Sequence, residues 1–213
     1  MIHAYDKLYL EKARTSLARM LEFAVYDLHQ DITAFFDLFL SSGVATLFEQ
    51  GDISIIAGKS GIELAYEVLD RCGIPATRID PRLTVDRSEE YWTGWALAYY
   101  QWETGMTFAE IVRCVPIIDI MALYHPYHEM DIRQFCDRMN ELIRQAHPET
   151  NLKRIRLSCG LSQSQLAKAS GVPTRTIQQY EQRRKDINKA QAEYIAILAS
   201  VLHCQPRALL ERI

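Results

Sequence analysis

Between Gly171 and Lys185 the sequence GVPTRTIQQYEQRRK gathers hydrogen-bonding side chains at helical spacing. Ile177 and Tyr180 fall on one side of such a helix, and Thr174, Arg175, Gln178, Gln179 and Gln182 share the opposite stripe. These residue types have a definite chemistry. A guanidinium offers parallel N–H donors that fit the O6/N7 edge of guanine. A carboxamide offers one donor edge and one acceptor edge, which fit N7 and N6 of adenine; each good pair gives ~1–3 kcal/mol of discrimination. Arg184 and Lys185 follow at the end of the stripe, with Lys189 four residues on. Such cations hold phosphates, which fixes a protein's position on a duplex without specifying sequence.

A reading stripe works only if its helix is pinned, so the flanking residues must build a scaffold. Counting Gln163 as one, small Ala167 stands fifth, Gly171 ninth, Ile177 fifteenth and Tyr180 eighteenth. That spacing predicts two helices crossing tightly at Ala167, with Gly171 supplying a positive φ in the short turn between them. Leu166, Val172, Ile177 and Tyr180 then close a shared core, and Ser162 caps the first helix. Upstream, Thr150 is expected to cap a helix of Asn151–Ser158 with Leu152, Ile155 and Leu157 inward, ended by Gly160. Downstream, Asn188 with Gln191 reads as a capping box opening Lys189–Leu202, followed by a turn at Pro206–Leu210. Five short helices in about 60 residues make a compact bundle.

At this point the segment Leu161–Asn188, LSQSQLAKASGVPTRTIQQYEQRRKDIN, flanked by LKRIR and AILASVLHCQPRALL, resembles the lambda-repressor-like (Cro/XRE) helix-turn-helix family. The resemblance covers about residues 150–211. It departs from the family pattern at Ser170, a position usually apolar, and at Pro173, where Ser is usual. Proline is tolerated in a helix's first turn because its missing N–H costs little there. The resemblance implies that Thr174, Arg175 and Gln179 occupy base-contacting positions, to which the stripe adds Gln178. It implies a phosphate contact for Gln163, at a helix N-terminus whose free N–H groups favour an anion. Arg184, Lys185 and Lys189 add backbone contacts, and Arg156 with Glu181 matches a structural ion pair of the family.

The rest of the chain must account for a different character. Residues 150–213 carry 11 Lys and Arg against 4 Asp and Glu, whereas residues 1–149 carry 13 against 23. A basic C-terminal domain on an acidic body suits a tail that meets a polyanion. The body reads as helical almost throughout. An amphipathic helix runs from Leu8 to about Gln30, Asp31 caps the next through Leu40, and Gly43 punctuates a turn before Val44–Gln50. Capping boxes Ser60/Glu63 and Thr107/Glu110 open helices to Asp70 and Val115. Ser88–Glu103 carries Tyr91, Trp92, Trp95, Tyr99, Tyr100 and Trp102. Ile117–Tyr124 and Asp131–Ala146 complete it, while Ile53–Ile56 is the one candidate strand and Cys72–Arg87 an irregular connection.

The expected architecture is all-α: a multi-helix domain over 1–148 and a five-helix domain over 149–213, divided at His147-Pro148. Five unpaired-looking cysteines favour reduced thiols over disulfides or zinc. No apolar run approaches the ~20 residues that cross a bilayer, and the N-terminus lacks the apolar core of a signal peptide.

Three constellations invite chemistry and do not complete it. Gly58-Lys59-Ser60 lacks the earlier glycine of a phosphate-binding loop. His125 and His128 beside Glu129 want a further ligand for a metal. The aromatic helix suits a core or dimer interface better than a ligand pocket. No nucleophile stands with a base, so no catalytic residue, metal or cofactor is assigned. The resemblance implies a cytoplasmic, nucleoid-associated bacterial transcriptional regulator, usually a repressor, that binds operator DNA as a homodimer. The apolar helices Asp31–Leu40 and Asp131–Ile143 offer dimerisation surfaces. An antitoxin, whose N-terminal domain binds a toxin while the C-terminal domain autoregulates the operon, is the alternative.

Overall fold

The computed structural model describes residues 3–82, 86–146 and 149–211. The chain divides into two compact units, Met1–Ala146 and His147–Ile213. Among the described residues neither unit contains a β-strand, in keeping with the expected all-α class. The break expected at His147-Pro148 lies outside the described residues.

The first unit is built on a long central helix, α1 (Leu10–Tyr26), whose Leu17, Met20, Leu21 and Ala24 are completely buried. Helices α2 (Ile32–Ser41), α3 (Val44–Glu49), α4 (Ile53–Ile56) and α5 (Gly61–Arg71) follow. Then come α6 (Glu89–Thr104), α7 (Phe108–Cys114), α8 (Ile117–Met121), the single turn α9 (Tyr124–Tyr127) and α10 (Ile132–Ala146). Local chemistry sets most of these starts. The Asp31 carboxylate accepts from Ala34 N–H, and both expected capping boxes close, Ser60 with Glu63 and Thr107 with Glu110. Each such cap stabilises its helix by roughly 1 kcal/mol.

Two expectations about the first unit need correction. The helix drawn to Gln30 ends at Tyr26, because Leu28 N–H donates to the Phe23 carbonyl, Gln30 N–H to Ala24, and His29 takes φ 55°. That reversal satisfies the last carbonyls and frees Asp31 to cap α2. The candidate strand Ile53–Ile56 is instead a helical turn, opened by Asp52, whose carboxylate accepts from Ser54 N–H. Four apolar residues after an Asp cap cannot be told from a buried strand by periodicity alone.

The aromatic helix α6 lies along α1 at a close approach that needs glycine. A Cβ on Gly94 would sit 2.7 Å from both Ala18 Cα and the Leu17 carbonyl oxygen. Around that crossing the aromatics pack inward: Trp92 stands edge-on to Phe135 and Tyr124, Tyr100 donates its hydroxyl to Asn140 at 2.7 Å, and Trp102 donates its ring N–H to the Tyr5 carbonyl. Trp95 lies under the buried Arg14 guanidinium, 3.3 Å from the ring centroid. Trp92, Tyr100 and Trp102 thus serve the core, while Tyr91, Trp95 and Tyr99 are half-buried. The apolar faces expected to form dimer surfaces are likewise spent internally, since Phe35, Phe36 and Phe39 of α2 and Phe135, Met139 and Ile143 of α10 are buried within this unit.

The second unit comprises α11 (Asn151–Ser158), α12 (Gln163–Ser170), α13 (Thr174–Glu181) and α14 (Ala192–Val201), with single 3-10 turns at Ile187–Lys189 and Pro206–Ala208. Its core joins Leu152, Leu166, Val172, Ile177 and Tyr180 to Ile187, Leu198, Leu202 and Leu209. Leu157, expected inside, is 49% exposed, as it falls on the opposite side of α11 from Leu152. The Asn188/Gln191 box does not form. Asp186 caps the turn at Asn188 N–H instead, while the Asn188 amide pairs with both the N–H and the carbonyl of Glu211. Helix α14 therefore begins at Ala192, three residues later than the box required.

Candidate nucleic-acid interface

The turn between α12 and α13 is set by the two residues where the sequence departs from the family pattern, together with Gly171. Ser162 and Gln165 close a capping box at the start of α12, and Gly171 ends it at φ 71°. Ser170 is buried, but its hydroxyl donates to the Leu166 carbonyl at 2.7 Å and accepts from Val172 N–H at 3.2 Å. A polar group in an apolar position is tolerated when both its hydrogen-bonding needs are met. This serine also clasps the turn. Pro173 stands at the cap position of α13, where its carbonyl accepts from Thr176 and Ile177 and no N–H is demanded.

Helix α13 is held by its inward face and by one buried ion pair. Ile177 and Tyr180 are buried in the core. Arg156 on α11 donates through Nε to Glu181 Oε1 at 2.6 Å and through Nη2 to Oε2 at 2.9 Å, while its Nη1 reaches the Leu161 carbonyl at 2.5 Å. The side chains are 6% and 2% exposed. The hydrogen bond to Glu181 raises the Arg156 pKa above the ordinary guanidinium range, against the opposing effect of burial. The geometry is bidentate, the arrangement in which arginine fixes orientation as well as charge.

On the outward side, Arg175 and Gln178 are exposed and Thr174 and Gln179 half-buried, all four on α13. At the far end the chain does not simply fray. Arg183 adopts φ 52°, and the Gln179 carbonyl accepts from both Arg184 N–H at 2.9 Å and Lys185 N–H at 3.1 Å. The backbone that carries the two exposed cations is thereby fixed to the end of the reading helix. Lys189 is also exposed, 3.8 Å from Asp186. Near the ends of this loop, Glu211 receives the Asn151 N–H at 2.6 Å and lies 3.5 Å from Arg183.

Gln163 is the residue whose surroundings the sequence did not foretell. Its Nε2 donates to Glu181 Oε2 at 2.7 Å, and its Oε1 accepts from Gln178 Nε2 at 3.4 Å. A primary amide has a second N–H, so the expected phosphate contact remains open to it. The three residues lie 15 and 18 positions apart, and only the crossing of α12 over α13 brings them together.

Elsewhere, the rejected constellations have ordinary partners. Lys59 pairs with Glu67 at 2.6 Å and Ser60 is a cap. His128 bonds the Tyr124 carbonyl and stacks on its ring at 4.0 Å. Among the described residues no group of His, Cys, Asp and Glu is arranged to hold a metal ion, and no helix is long and apolar enough to cross a membrane.

Two short helices crossed through a glycine turn, the second carrying an outward polar stripe, define a helix-turn-helix unit. Residues 152–209 match the helix-turn-helix family model, 58 of the chain's 213 residues, and the C-terminal unit is a domain of that family. No curated protein and no solved structure matches the chain.

Proposed function

We propose that this protein is a sequence-specific transcriptional regulator, acting as a repressor, that inserts α13 into the major groove of operator DNA. The observation that supports it most is the combination on one helix: an inward face locked by Ile177, Tyr180 and the Arg156–Glu181 pair, and an outward face of Thr174, Arg175, Gln178 and Gln179. A major groove about 12 Å wide admits an α-helix presented this way. In this reading Arg175 takes a guanine edge, Thr174, Gln178 and Gln179 contact neighbouring pairs, and Gln163, Arg184, Lys185 and Lys189 hold phosphates. The basic charge of residues 150–213 supplies the long-range attraction.

One such domain makes few contacts, so the working form is a homodimer on half-sites about 34 Å apart, paired through a surface of the first unit other than the buried faces of α2 and α10. Its place is the bacterial nucleoid. The test is a footprint of the purified full chain on the DNA upstream of its own gene, with the oligomeric state measured by light scattering. A protected two-fold site and a dimer are expected. Uniform, sequence-independent protection would overturn the reading.

A further inference from the structure

Among the described residues two arginines are buried, Arg14 on α1 and Arg156 on α11, 6% and 5% exposed. Arg156 uses its Nε/Nη2 edge, a pair of parallel N–H donors that fits a carboxylate, to hold both oxygens of Glu181 at 2.6 and 2.9 Å. Arg14 uses the same edge differently. Its Nη1 donates to Glu11 Oε1 at 2.7 Å, but Nε and Nη2 are buried and meet no acceptor among the described residues. The Tyr5 hydroxyl is buried without a partner too, and it lies close enough for the Arg14 charge to lower its pKa against the larger, raising effect of burial. The floor is aromatic. The Arg14 guanidinium lies 3.3 Å from the Trp95 ring centroid and 4.9 Å from that of Tyr99, and both rings are half-buried. Buried polar groups are nearly always paired. Three unpaired donors gathered over an aromatic floor match one ligand chemistry, an oxyanion with an apolar body.

The cover over these groups is light. Residues 3–5 cross α6 without helical structure. Ala4 N–H donates to the Trp102 carbonyl at 3.0 Å, Trp102 Nε1 donates to the Tyr5 carbonyl at 2.8 Å, and the His3 ring stacks on the Trp102 indole at 3.8 Å. All three contacts end on one residue, so this segment can lift as a strap while α1 and α6 stay packed. We infer that Arg14 and Tyr5 form a binding site for a small organic carboxylate, closed by residues 3–5: the Arg14 Nε/Nη2 edge takes both carboxylate oxygens, the Tyr5 hydroxyl donates to one of them, and the ligand's body lies on Trp95 and Tyr99. Burial lowers the Arg14 pKa while Glu11 raises it, and a guanidinium stays charged at neutral pH regardless. A carboxylate suits the site better than phosphate. Glu11 already offsets part of the single positive charge, and burying a dianion costs more than burying a monoanion. The site is independent of the DNA-reading function proposed above.

The experiment titrates the full chain, isotope-labelled at arginine, with benzoate as the probe, and in parallel with benzamide and inorganic phosphate. Chloride holds the ionic strength constant. The Arg14 Nε–H resonance is the one that disappears in Arg14→Lys. Benzoate should shift that resonance and change the tryptophan fluorescence in one saturable step, half-complete at about 1 mM or below. Benzamide keeps the ring without the charge and should bind at least about tenfold more weakly; phosphate should do the same. Tyr5→Phe removes a single donor and should weaken benzoate about fivefold to tenfold. Arg14→Lys keeps the charge but not the paired donors, and should weaken benzoate by more than about tenfold. Its urea midpoint, followed by tryptophan fluorescence, checks that the first unit is folded, and Tyr5→Phe carries the comparison if it is not. A parent whose resonance and fluorescence stay unmoved by benzoate up to about 50 mM would overturn the inference. So would benzoate affinity equal in the parent and in every folded variant, or benzamide or phosphate binding as tightly as benzoate.

Discussion

Replacing Arg156 with methionine isolates what pins the reading helix. The substitution keeps the unbranched aliphatic stem in place and removes the guanidinium. Glu181, whose side chain is 2% exposed, then keeps, among the described residues, the Gln163 amide as its remaining side-chain partner, and the Leu161 carbonyl loses its Arg156 donor. Leaving a buried charge without its counterion costs about 3–5 kcal/mol. A domain of this size has a total stability near the low end of about 5–15 kcal/mol, so the loss is most of what holds it folded. With a urea m-value of about 1 kcal/mol/M for so small a unit, the midpoint should fall by roughly 3 M or more.

The assay can distinguish the two units, because all three tryptophans, Trp92, Trp95 and Trp102, lie in the first. Tryptophan fluorescence then follows the first unit during urea unfolding, while far-UV circular dichroism reports both. A second variant, Arg156→Met with Glu181→Leu, removes both charges and should recover stability to within about 1–2 kcal/mol of the parent, since a buried pair replaced by apolar groups is often neutral or better. A single variant that loses less than about 1 kcal/mol would mean the pair behaves as an exposed one. That result, or a double variant as damaged as the single one, would show that the ion pair does not pin α13.

Other consequences follow from particular contacts. Gly94→Ala drives a methyl to 2.7 Å from the α1 backbone, so α1 and α6 must part; the tryptophan-detected transition should lose about 1–3 kcal/mol, and an unchanged midpoint would contradict the close approach. Arg175→Ala should fold normally and lose roughly 5- to 150-fold in discrimination at one base pair of the selected site, which competition binding with single-pair variants measures. Arg184→Ala with Lys185→Ala should weaken binding to all duplexes alike and reduce the slope of log K against log salt by about 2; a slope equal to the parent's would remove them from the backbone contacts.

What the sequence revealed and what it withheld divide by the range of the interaction involved. The caps at Asp31, Ser60, Thr107, Thr150 and Ser162 were legible because each joins a side chain to a backbone N–H three residues away. The glycine turn at Gly171 and the inward positions Leu166, Val172, Ile177 and Tyr180 were legible for the same reason, fixed by helical spacing. The misread capping box at Asn188 shows the limit. Its local pattern was present, but Asp186 competes for the same turn, and Asn188 is engaged by Glu211, 23 residues later. The surroundings of Gln163 were hidden by the same kind of distance, as was the left-handed Arg183 that anchors Arg184 and Lys185 to α13. In the first unit, apolar faces on α2 and α10 looked available for a partner because a sequence cannot say that the chain's own helices will cover them.

Sequence-specific reading by α13 is measured by equilibrium binding of the full chain to the duplex it selects from a randomised pool and to a scrambled duplex of equal length and composition, at about 0.15 M salt. The selected duplex should be preferred by at least about a thousandfold, a preference reduced by Arg175→Ala and left intact when both strands are shortened outside the protected site. Equal affinity for the two duplexes would contradict it.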